Sequence, residues 1–390
     1  MKIGYFANLN NLGHQRPYAR VLDNAREIAT TLDAAGWDSI WFTEHHFGIE
    51  GNEVLPNPIV MATDIAARTS NIRIGLAAAI IPFWHPLRLA EDIALLDQLS
   101  GGRLELGVGR GNYGLEGMNL NRIADPRNPD QNFAVFEETL DILLKAFAQP
   151  RIAHQGRFYS FPTPGFTWDR AHTVRSPEYV DKETNELIRM SVVPRTLQQP
   201  HPPLWQVIDS PRSIVWAARK GLKIIAWRPP LESLRERYRL FQREVTEARG
   251  VEVPWGEGTG LMRDMFVAET MEEARRQAGE AIIGYYRWTG WRGLGIFLNP
   301  GEVAPPPTAM SYDWAHPRSL LFGTPDYVAA RIAELEDELN LEHLLVCCSW
   351  PGLEPEKTMR SLRLFNAEVL PRLRGGTRPG AARAEGGTVA

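Results

Sequence analysis

The 390-residue sequence predicts an α/β protein that folds as a single (β/α)8 TIM barrel with long insertion loops. Short β-branched or aromatic runs alternate with longer amphipathic stretches, a pattern typical of parallel strands joined by right-handed helical crossovers. Eight strand–helix pairs can be counted, which is the number that closes such a barrel. Two aperiodic stretches, residues 149–203 and 289–324, interrupt the alternation and have the length of functional loops. An open, doubly wound sheet is the alternative on the pattern alone.

The first half of the chain contains four of the predicted strand–helix pairs. Gly36 follows the first helix at a position where glycine commonly ends a helix, and Pro58 stands in the first turn of the second helix. The predicted strands are residues 3–7, 39–43, 73–80 and 104–108, and the predicted helices are residues 22–34, 58–68, 87–99 and 133–147.

The alternation resumes after residue 203 and continues to residue 373. The predicted strands are residues 204–208, 223–227, 262–268 and 343–348, and the predicted helices are residues 213–220, 231–249, 271–286, 326–339 and 355–373. We predict that residues 1–374 form one barrel domain. Residues 375–390 are rich in Gly, Arg and Ala, and we expect a disordered tail there.

Charge balance and cysteine content limit the class of protein. The 43 basic and 47 acidic residues give a net charge of −4, unlike the strongly basic surface of a nucleic-acid binder. No apolar run reaches the roughly 20 residues of a membrane-spanning helix, and the start lacks the apolar core of a signal peptide. Cys347 and Cys348 are adjacent and would point to opposite faces of a strand, so they are poorly placed to bond each other. We expect a cytoplasmic enzyme that binds neither nucleic acid nor a membrane.

Titratable residues stand at the carboxyl end of the second predicted strand. Glu44, His45 and His46 lie there, at the end of a barrel strand where active sites occur in this fold. Satisfied polar groups at a strand exit are one alternative, and a metal site is another, since histidine is the commonest metal ligand. Adjacent strand residues diverge, and neither an HxH nor an HExxH spacing is present. We therefore predict no metal.

Small residues mark the ends of the third and fourth strands. Ala77 and Ala78 would let a flat ligand approach the backbone, although ordinary packing of small against large residues is the simpler explanation. Residues 109–114 match the pattern GxGxxG, but we expect no helix directly after them, and no acidic residue ends a second strand about 20 residues later. What remains is a strand-end loop with exposed amides and Arg110, suited to a phosphate, or a glycine-rich turn without a ligand.

A further candidate for anion binding follows the fifth strand. Ser210 or Ser213 can cap the next helix, whose amino-terminal amides would also bind an anion. Capping alone is the commoner role. Arg110 and these serines strengthen each other as candidates because all of them follow strands on the same rim of the predicted barrel.

Together these residues resemble the bacterial luciferase-like flavin-dependent monooxygenases, and the resemblance extends from Lys2 to about Leu373. Several motifs in the same order and at compatible spacing carry it. They are WFTEHHF at residues 41–47, Ala77-Ala78 with Pro82 and His85-Pro86, LLDQLSGGR at residues 95–103, GVGRG at residues 107–111 and LLVCC at residues 344–348. Gly109 departs from the family because the luciferase α subunit has a cysteine there, and residues 289–324 do not follow the luciferase mobile loop closely.

The resemblance implies a two-component, FMN-dependent monooxygenase. Reduced FMN comes from a separate NAD(P)H:flavin reductase, O2 adds to it, and the resulting C4a-peroxyflavin oxidises the substrate. The resemblance makes His45 the catalytic residue, acting by hydrogen bonding or acid–base chemistry near the flavin. It makes Ala77–Ala78 a non-prolyl cis peptide beneath the isoalloxazine, and Arg110 the partner of the flavin phosphate. The implied cofactor-binding residues are Ala77, Ala78, Gly109, Arg110, Asn112, Asp209, Ser210 and Ser213.

Substrate and partners follow less directly. The 12 tryptophans and the aromatic and proline residues of the two long loops favour a mainly apolar organic substrate. The resemblance also implies a homodimer formed through helices near the second and third strands. Two other functions stay open, namely a deazaflavin-dependent, hydride-transferring oxidoreductase of the same barrel superfamily and a non-catalytic flavin-binding protein.

Overall fold

The computed structural model describes residues 1–168, 176–208, 210–290 and 294–375 of the chain. It divides into two compact units. One unit contains residues 3–208 and 219–225, and the other contains residues 1–2, 209–218 and 226–390. Parallel strands alternate with helices in both units, and the chain has the (β/α)8 barrel fold that the sequence predicts.

The first unit holds the early strands in sequential order. Strands β1 to β4 and then β7 are parallel neighbours, and β8 follows β7. A doubly wound sheet would reverse its strand order at a switch point, so this order excludes the open-sheet alternative. The strands are β1 Lys2–Ala7, β2 Ser39–Phe42, β3 Arg73–Ile80, β4 Leu104–Gly109, β5 His154–Gln155, β6 Ser160–Phe161, β7 Leu204–Ile208 and β8 Lys223–Trp227, and the helices are α1 Tyr18–Ala34, α2 Pro58–Ala66, α3 Pro86–Leu99, α4 Gly114–Leu120 and α5 Pro129–Ala148.

Two buried tryptophans fill the interior below the strand ends of this unit. The rings of Trp41 and Trp205 meet edge to face with centroids 5.6 Å apart. Gly75 makes this packing possible, because a Cβ there would lie 2.0 Å from Cδ2 of Trp41. The indole N–H of Trp41 donates to Ser39 Oγ at 2.7 Å, and that of Trp205 donates to Glu105 Oε2 at 2.7 Å. A buried polar tip is thereby satisfied in both cases, so the floor beneath the strand ends is well packed.

The second unit contains the carboxyl-terminal strands and their helices. Strand β9 pairs in parallel with both β10 and β11. Its elements are α6 Pro211–Arg219, α7 Leu231–Arg249, β9 Thr259–Val267, α8 Met271–Thr289, α9 Tyr312–Ser319, β10 Leu320–Gly323, α10 Pro325–Leu339, β11 His343–Cys347, α11 Pro355–Leu364 and α12 Leu370–Gly375.

A buried ion pair lies at the centre of the second unit. Arg228 donates to both carboxylate oxygens of Asp264, through Nε and, at 2.9 Å, through Nη2. The Tyr286 hydroxyl and the Trp350 indole N–H also donate to this carboxylate, at 2.6 and 2.7 Å. Burial raises the pKa of Tyr286, which keeps its hydroxyl protonated as a donor. The guanidinium also lies 5.3 Å from the ring centroid of Tyr285, a cation–π contact.

Most predicted elements are present, but helices α4 and α9 and the short strands β5, β6 and β10 were not foreseen. The expectation that no helix follows the glycine-rich loop is wrong, because α4 begins at Gly114. Its two glycines, Gly114 and Gly117, lower helix propensity and hid it. Strand β10 and helix α9 were also missed, inside the aperiodic stretch at residues 289–324.

The remaining expectations concern single features of the chain. Cys347 and Cys348 are not bonded to each other, as their adjacency predicts, and both are buried. The predicted tail lies outside the described residues except for Gly375, which ends α12. In the described part of the chain, no helix has both the length and the hydropathy to span a membrane.

Candidate active site

His45 lies between two buried carboxylates just beyond the end of β2. Its Nδ1 is 3.4 Å from Oε1 of Glu116, and its Nε2 is 3.3 Å from Oε2 of Glu53. The side chains of both glutamates are only 3% exposed, while that of His45 is 16% exposed. The ring of Tyr113 meets the imidazole edge to face at a centroid distance of 5.0 Å. The arrangement places one titratable ring in contact with two acids at a strand end.

Glu53 and Glu116 come from separate segments and were not foreseen from the sequence. Glu53 follows β2 in a loop, has a φ of +51°, and its N–H donates to Asn10 Oδ1 at 3.0 Å. Its Oε2 accepts a 2.7 Å hydrogen bond from the Tyr113 hydroxyl. Glu116 lies in α4 and accepts the backbone N–H of His46 at 2.7 Å. Neither glutamate belongs to a recognisable motif, so only the folded chain reveals them.

Glu44 and His46 form a second, separate pair. His46 Nε2 lies 3.0 Å from Glu44 Oε1, and the other oxygen of Glu44 accepts the N–H of Ile80 at 2.8 Å. The Trp84 indole N–H also donates to this carboxylate, at 3.0 Å. Burial raises the pKa of Glu44, although its hydrogen-bond donors oppose the shift. The adjacent histidines thus have different partners. Glu44, which follows β2, connects the end of this strand to the end of β3 through its hydrogen bond from Ile80.

The small residues at the ends of β3 and β4 lie against each other. The Ala77–Ala78 peptide bond is cis, as the family resemblance implies. A Cβ on Gly109 would lie 3.2 Å from Cβ of Ala78 and 3.0 Å from Cδ1 of Ile80. The β3–β4 register also shifts between Leu76 and Ala79. The two strand ends therefore approach closely without bulky side chains between them.

The glycine-rich loop after β4 presents one cation. Arg110 Nη1 donates to Asn132 Oδ1 at 3.4 Å, and the guanidinium lies 5.8 Å from the ring centroid of Phe133. The buried side chain of Asn132 holds the loop by donating to the carbonyl of Arg110 at 3.0 Å. Gly111 has a φ of +76°, a conformation that favours glycine, and Asn112 is exposed. The Arg110 cation, the backbone N–H groups of the loop and the exposed Asn112 side chain are together suited to binding an anion.

The second predicted anion loop belongs to the other unit of the chain. Ser210 Oγ accepts the N–H of Ser213 at 3.4 Å, and Ser213 Oγ accepts the N–H of Ser210 at 3.2 Å. This reciprocal pair caps the start of α6, as the capping interpretation predicts. Asp209 lies outside the described residues.

Two further observations bear on what the site can hold. Thr43, directly before Glu44, is 3% exposed, and its hydroxyl has no hydrogen-bond partner among the described residues. A buried orphan hydroxyl at a strand end fits a site that a ligand completes. Within the same described residues, no group of three or more His, Cys, Asp or Glu side chains is arranged to hold a metal ion.

Comparison with known proteins gives consistent results. A family model described as luciferase-like monooxygenase matches residues 1–339. The chain is 26% identical over 309 residues to the oxygenase component of the flavin-dependent trigonelline monooxygenase of Acinetobacter baylyi, covering 78% of this chain and 76% of that protein.

Two solved structures are similar in fold. The oxygenating constituent of 3,6-diketocamphane monooxygenase from Pseudomonas putida, in complex with FMN, superposes with a TM-score of 0.76 at 24% identity, covering 95% of this chain and 98% of that one. An F420-dependent secondary alcohol dehydrogenase has a TM-score of 0.66 at 15% identity, covering 96% of this chain and 99% of that one. At these identities, both likenesses establish the fold alone.

Proposed function

Because this chain belongs to the luciferase-like monooxygenase family, we propose that it is the oxygenase of a two-component system that uses reduced FMN and O2 to oxidise a mainly apolar organic substrate. Family membership makes it an enzyme, a monooxygenase that works with flavin. The observation that carries the finer proposal is His45, placed between Glu53 and Glu116 at the end of β2. The first unit of the chain, which contains these three residues, also contains the cis Ala77–Ala78 peptide and the Arg110 loop.

The residues of the first unit suit FMN in their chemistry. When bound, the reduced flavin supplies the electrons that activate oxygen. A separate NAD(P)H:flavin reductase would supply the flavin in its reduced form. Arg110 and the amides of its loop would hold the phosphate. Ala77, Ala78 and Gly109 leave room for a flat ring, and the Thr43 hydroxyl offers one further hydrogen bond. His45 would move or hold a proton beside the reacting atoms.

The substrate proposal rests on the named relatives and on side-chain chemistry. Two of the relatives are named for trigonelline and for 3,6-diketocamphane. In this chain, Phe83 and Trp84 follow β3 and are partly exposed. The Phe83 ring lies 6.2 Å from that of His46, and the Trp84 indole N–H donates to Glu44. Partly exposed aromatic rings beside a few polar groups are typical of pockets for apolar small molecules.

Phosphate recognition by Arg110 can be tested with two flavins. Replacing Arg110 with alanine is expected to weaken FMN binding by about 10- to 100-fold, since hydrogen bonds to charged groups contribute about 1.5–3 kcal/mol. Binding of riboflavin, which lacks the phosphate, should not change. Fluorescence titration of both flavins measures this, and Arg88→Ala is the matched control because Arg88 is exposed and paired with Asp92. Equal losses for both flavins would remove Arg110 from phosphate binding.

The same titration separates the flavin from the deazaflavin hypothesis. We expect the wild-type chain to bind reduced FMN more tightly than reduced deazaflavin. Tight deazaflavin binding without FMN binding would reverse the assignment in favour of hydride transfer.

We also propose that two copies of this chain associate as a homodimer. Helices α2 and α3 pack together and leave Val60, Leu95 and Leu99 65%, 47% and 57% exposed. Exposed apolar side chains on adjacent helices favour burial against a second copy. Light scattering should give a dimer for the wild type and a monomer for Leu95→Glu. Val303→Glu is the control, since Val303 is 91% exposed, and a wild-type monomer would contradict the proposal.

A further inference from the structure

We infer that Thr43 is a cofactor-binding residue whose hydroxyl hydrogen-bonds a nitrogen or oxygen atom of the isoalloxazine ring of the flavin. Thr43 is not among the residues that the family resemblance assigns to the cofactor. The inference rests on the proposed function for the identity of the ligand, and it adds a contact to the ring to the phosphate contact of Arg110. The experiment below measures flavin binding by the wild-type chain as well, so failure of the inference and failure of the proposed function can be told apart.

The first step is that the hydroxyl of Thr43 is buried without a hydrogen bond. The residue is 3% exposed, and its Oγ1 has no partner among the residues that the structure describes. About 90% or more of buried polar groups in folded proteins are satisfied, because an unpaired group loses its hydrogen bonds to water without compensation. A hydroxyl can both donate and accept, so Thr43 can pair with either kind of partner. Such an exception at a strand end points to a ligand that supplies the partner.

The second step is the direction of this side chain. Thr43 follows β2 directly, two residues beyond Trp41, and the alternation along a strand points both side chains to the same face. The last residue of β2 is in register with Leu76 of β3, so the next residues along the two strands are Thr43 and Ala77. The hydroxyl therefore lies next to Ala77, on the face of the sheet that carries the tryptophan floor.

The third step is that the polar groups around Thr43 already have partners. The indole N–H groups of the floor donate to side chains of β2 and β4. The carboxylate of Glu44, the next residue, accepts the N–H of Ile80 at 2.8 Å and the indole N–H of Trp84 at 3.0 Å. Each of these groups would have to give up a hydrogen bond to satisfy Thr43, so a partner from outside the chain is favoured.

The fourth step is that the neighbouring strands suit a flat ring. Ala77 carries only a methyl group, and β4 has no side chain at Gly107, where a Cβ would lie 2.0 Å from the carbonyl oxygen of Leu76. The isoalloxazine ring is flat, and it carries nitrogen and carbonyl oxygen atoms along its edge. A mainly apolar substrate would leave the hydroxyl unpaired, whereas this edge offers it a hydrogen bond.

The inference links flavin binding to the stability of the chain. A buried hydroxyl without a partner is destabilising, and valine has the same branched shape without the hydroxyl. Thr43→Val should therefore stabilise the flavin-free chain and weaken its binding of flavin. A hydroxyl with a structural partner inside the chain predicts the opposite sign for stability, because its loss would leave that partner unpaired.

The test compares Thr43→Val with the wild type by fluorescence titration of FMN, riboflavin and lumiflavin, which is little more than the ring. We expect the affinity for all three flavins to fall by about 2- to 10-fold, the size of one neutral hydrogen bond, because they share the ring. The thermal midpoint of the flavin-free chain should rise by about 1–3 °C. Thr43→Ser, which keeps the hydroxyl, should bind all three flavins as the wild type does.

Thr358 in α11 provides a matched control. It is also 3% exposed, but its hydroxyl donates to the carbonyl of Cys348 at 2.7 Å. Thr358→Val should therefore lower the thermal midpoint and leave the three flavin affinities unchanged.

Each outcome decides the inference. Unchanged lumiflavin affinity in Thr43→Val, beside a wild-type chain that binds lumiflavin, overturns it and leaves the proposed function standing. A lower thermal midpoint in flavin-free Thr43→Val also overturns it, because the hydroxyl would then have a partner inside the folded chain. A wild-type chain that binds none of the three flavins contradicts the proposed function, and this inference with it.

Discussion

Replacing His45 with alanine is expected to lower turnover by about 100- to 10,000-fold, the usual contribution of a positioned acid–base group, while FMN stays bound. His45 is the titratable ring at the end of β2, and the Arg110 loop that would hold the flavin phosphate is a separate segment. Oxygen consumption and product formation measure turnover, and flavin fluorescence measures binding. The two readouts separate loss of chemistry from loss of cofactor.

The substitution also removes the group that faces both acids. Glu53 and Glu116 would then remain buried without the imidazole between them, so His45→Ala should lose some stability as well. His45→Gln, which keeps one N–H donor, is the second variant, and thermal unfolding is measured for both. His201→Ala is the control, because within the described part of the chain the His201 ring hydrogen-bonds only to the neighbouring Pro202 carbonyl. Unchanged turnover in folded His45→Ala would remove His45 from the mechanism.

Replacing Asp264 with asparagine is expected to cost about 3–5 kcal/mol in the free energy of unfolding, the loss typical of breaking a buried ion pair by removing one partner. The Arg228 cation would remain buried with an uncharged partner. Burial lowers the pKa of Arg228, and the charge and hydrogen bonds of Asp264, followed by Tyr286 and Tyr285, raise it well above its ordinary value. Urea unfolding measures the loss.

An exposed ion pair in the same unit provides a matched control. Arg275 also binds both oxygens of a carboxylate, that of Asp313, with two distances of 2.8 Å. These side chains are 54% and 70% exposed, so Asp313→Asn should cost less than about 1 kcal/mol. Similar losses for Asp264→Asn and Asp313→Asn would show that burial does not determine the strength of the Arg228–Asp264 pair.

The fold was predictable because its signals are local. The alternation of short apolar runs with amphipathic stretches places the strands and helices of both units, and Gly36 ends α1 with a φ of +76°. Helix α4 carries no such signal, since Gly114 and Gly117 interrupt its periodicity. Strand β10 has only four residues and follows an aperiodic stretch, so its partner β9 defines it rather than its own sequence.

Residues of the candidate site could be predicted only where they belong to a motif. His45, Ala77, Ala78 and Arg110 stand in segments that resemble the family, and the cis peptide followed from that resemblance. Glu53 lies in a loop without a motif and reaches His45 only through folding of that loop. Glu116 also has no motif, and it lies in α4, a helix that the hydrophobic periodicity did not predict. Spatial partners of this kind are set by tertiary structure, which neither periodicity nor spacing encodes.

The most direct measurement of the central claim, that this chain handles oxygen with reduced FMN, is rapid mixing of the chain loaded with reduced FMN into oxygenated buffer. The return of oxidised-FMN absorbance and the release of hydrogen peroxide are recorded together. We expect bound flavin to reoxidise much more slowly than free reduced FMN and to release less peroxide when a suitable substrate is present. Reoxidation at the rate of free flavin, with all of the oxygen recovered as hydrogen peroxide, would contradict the claim.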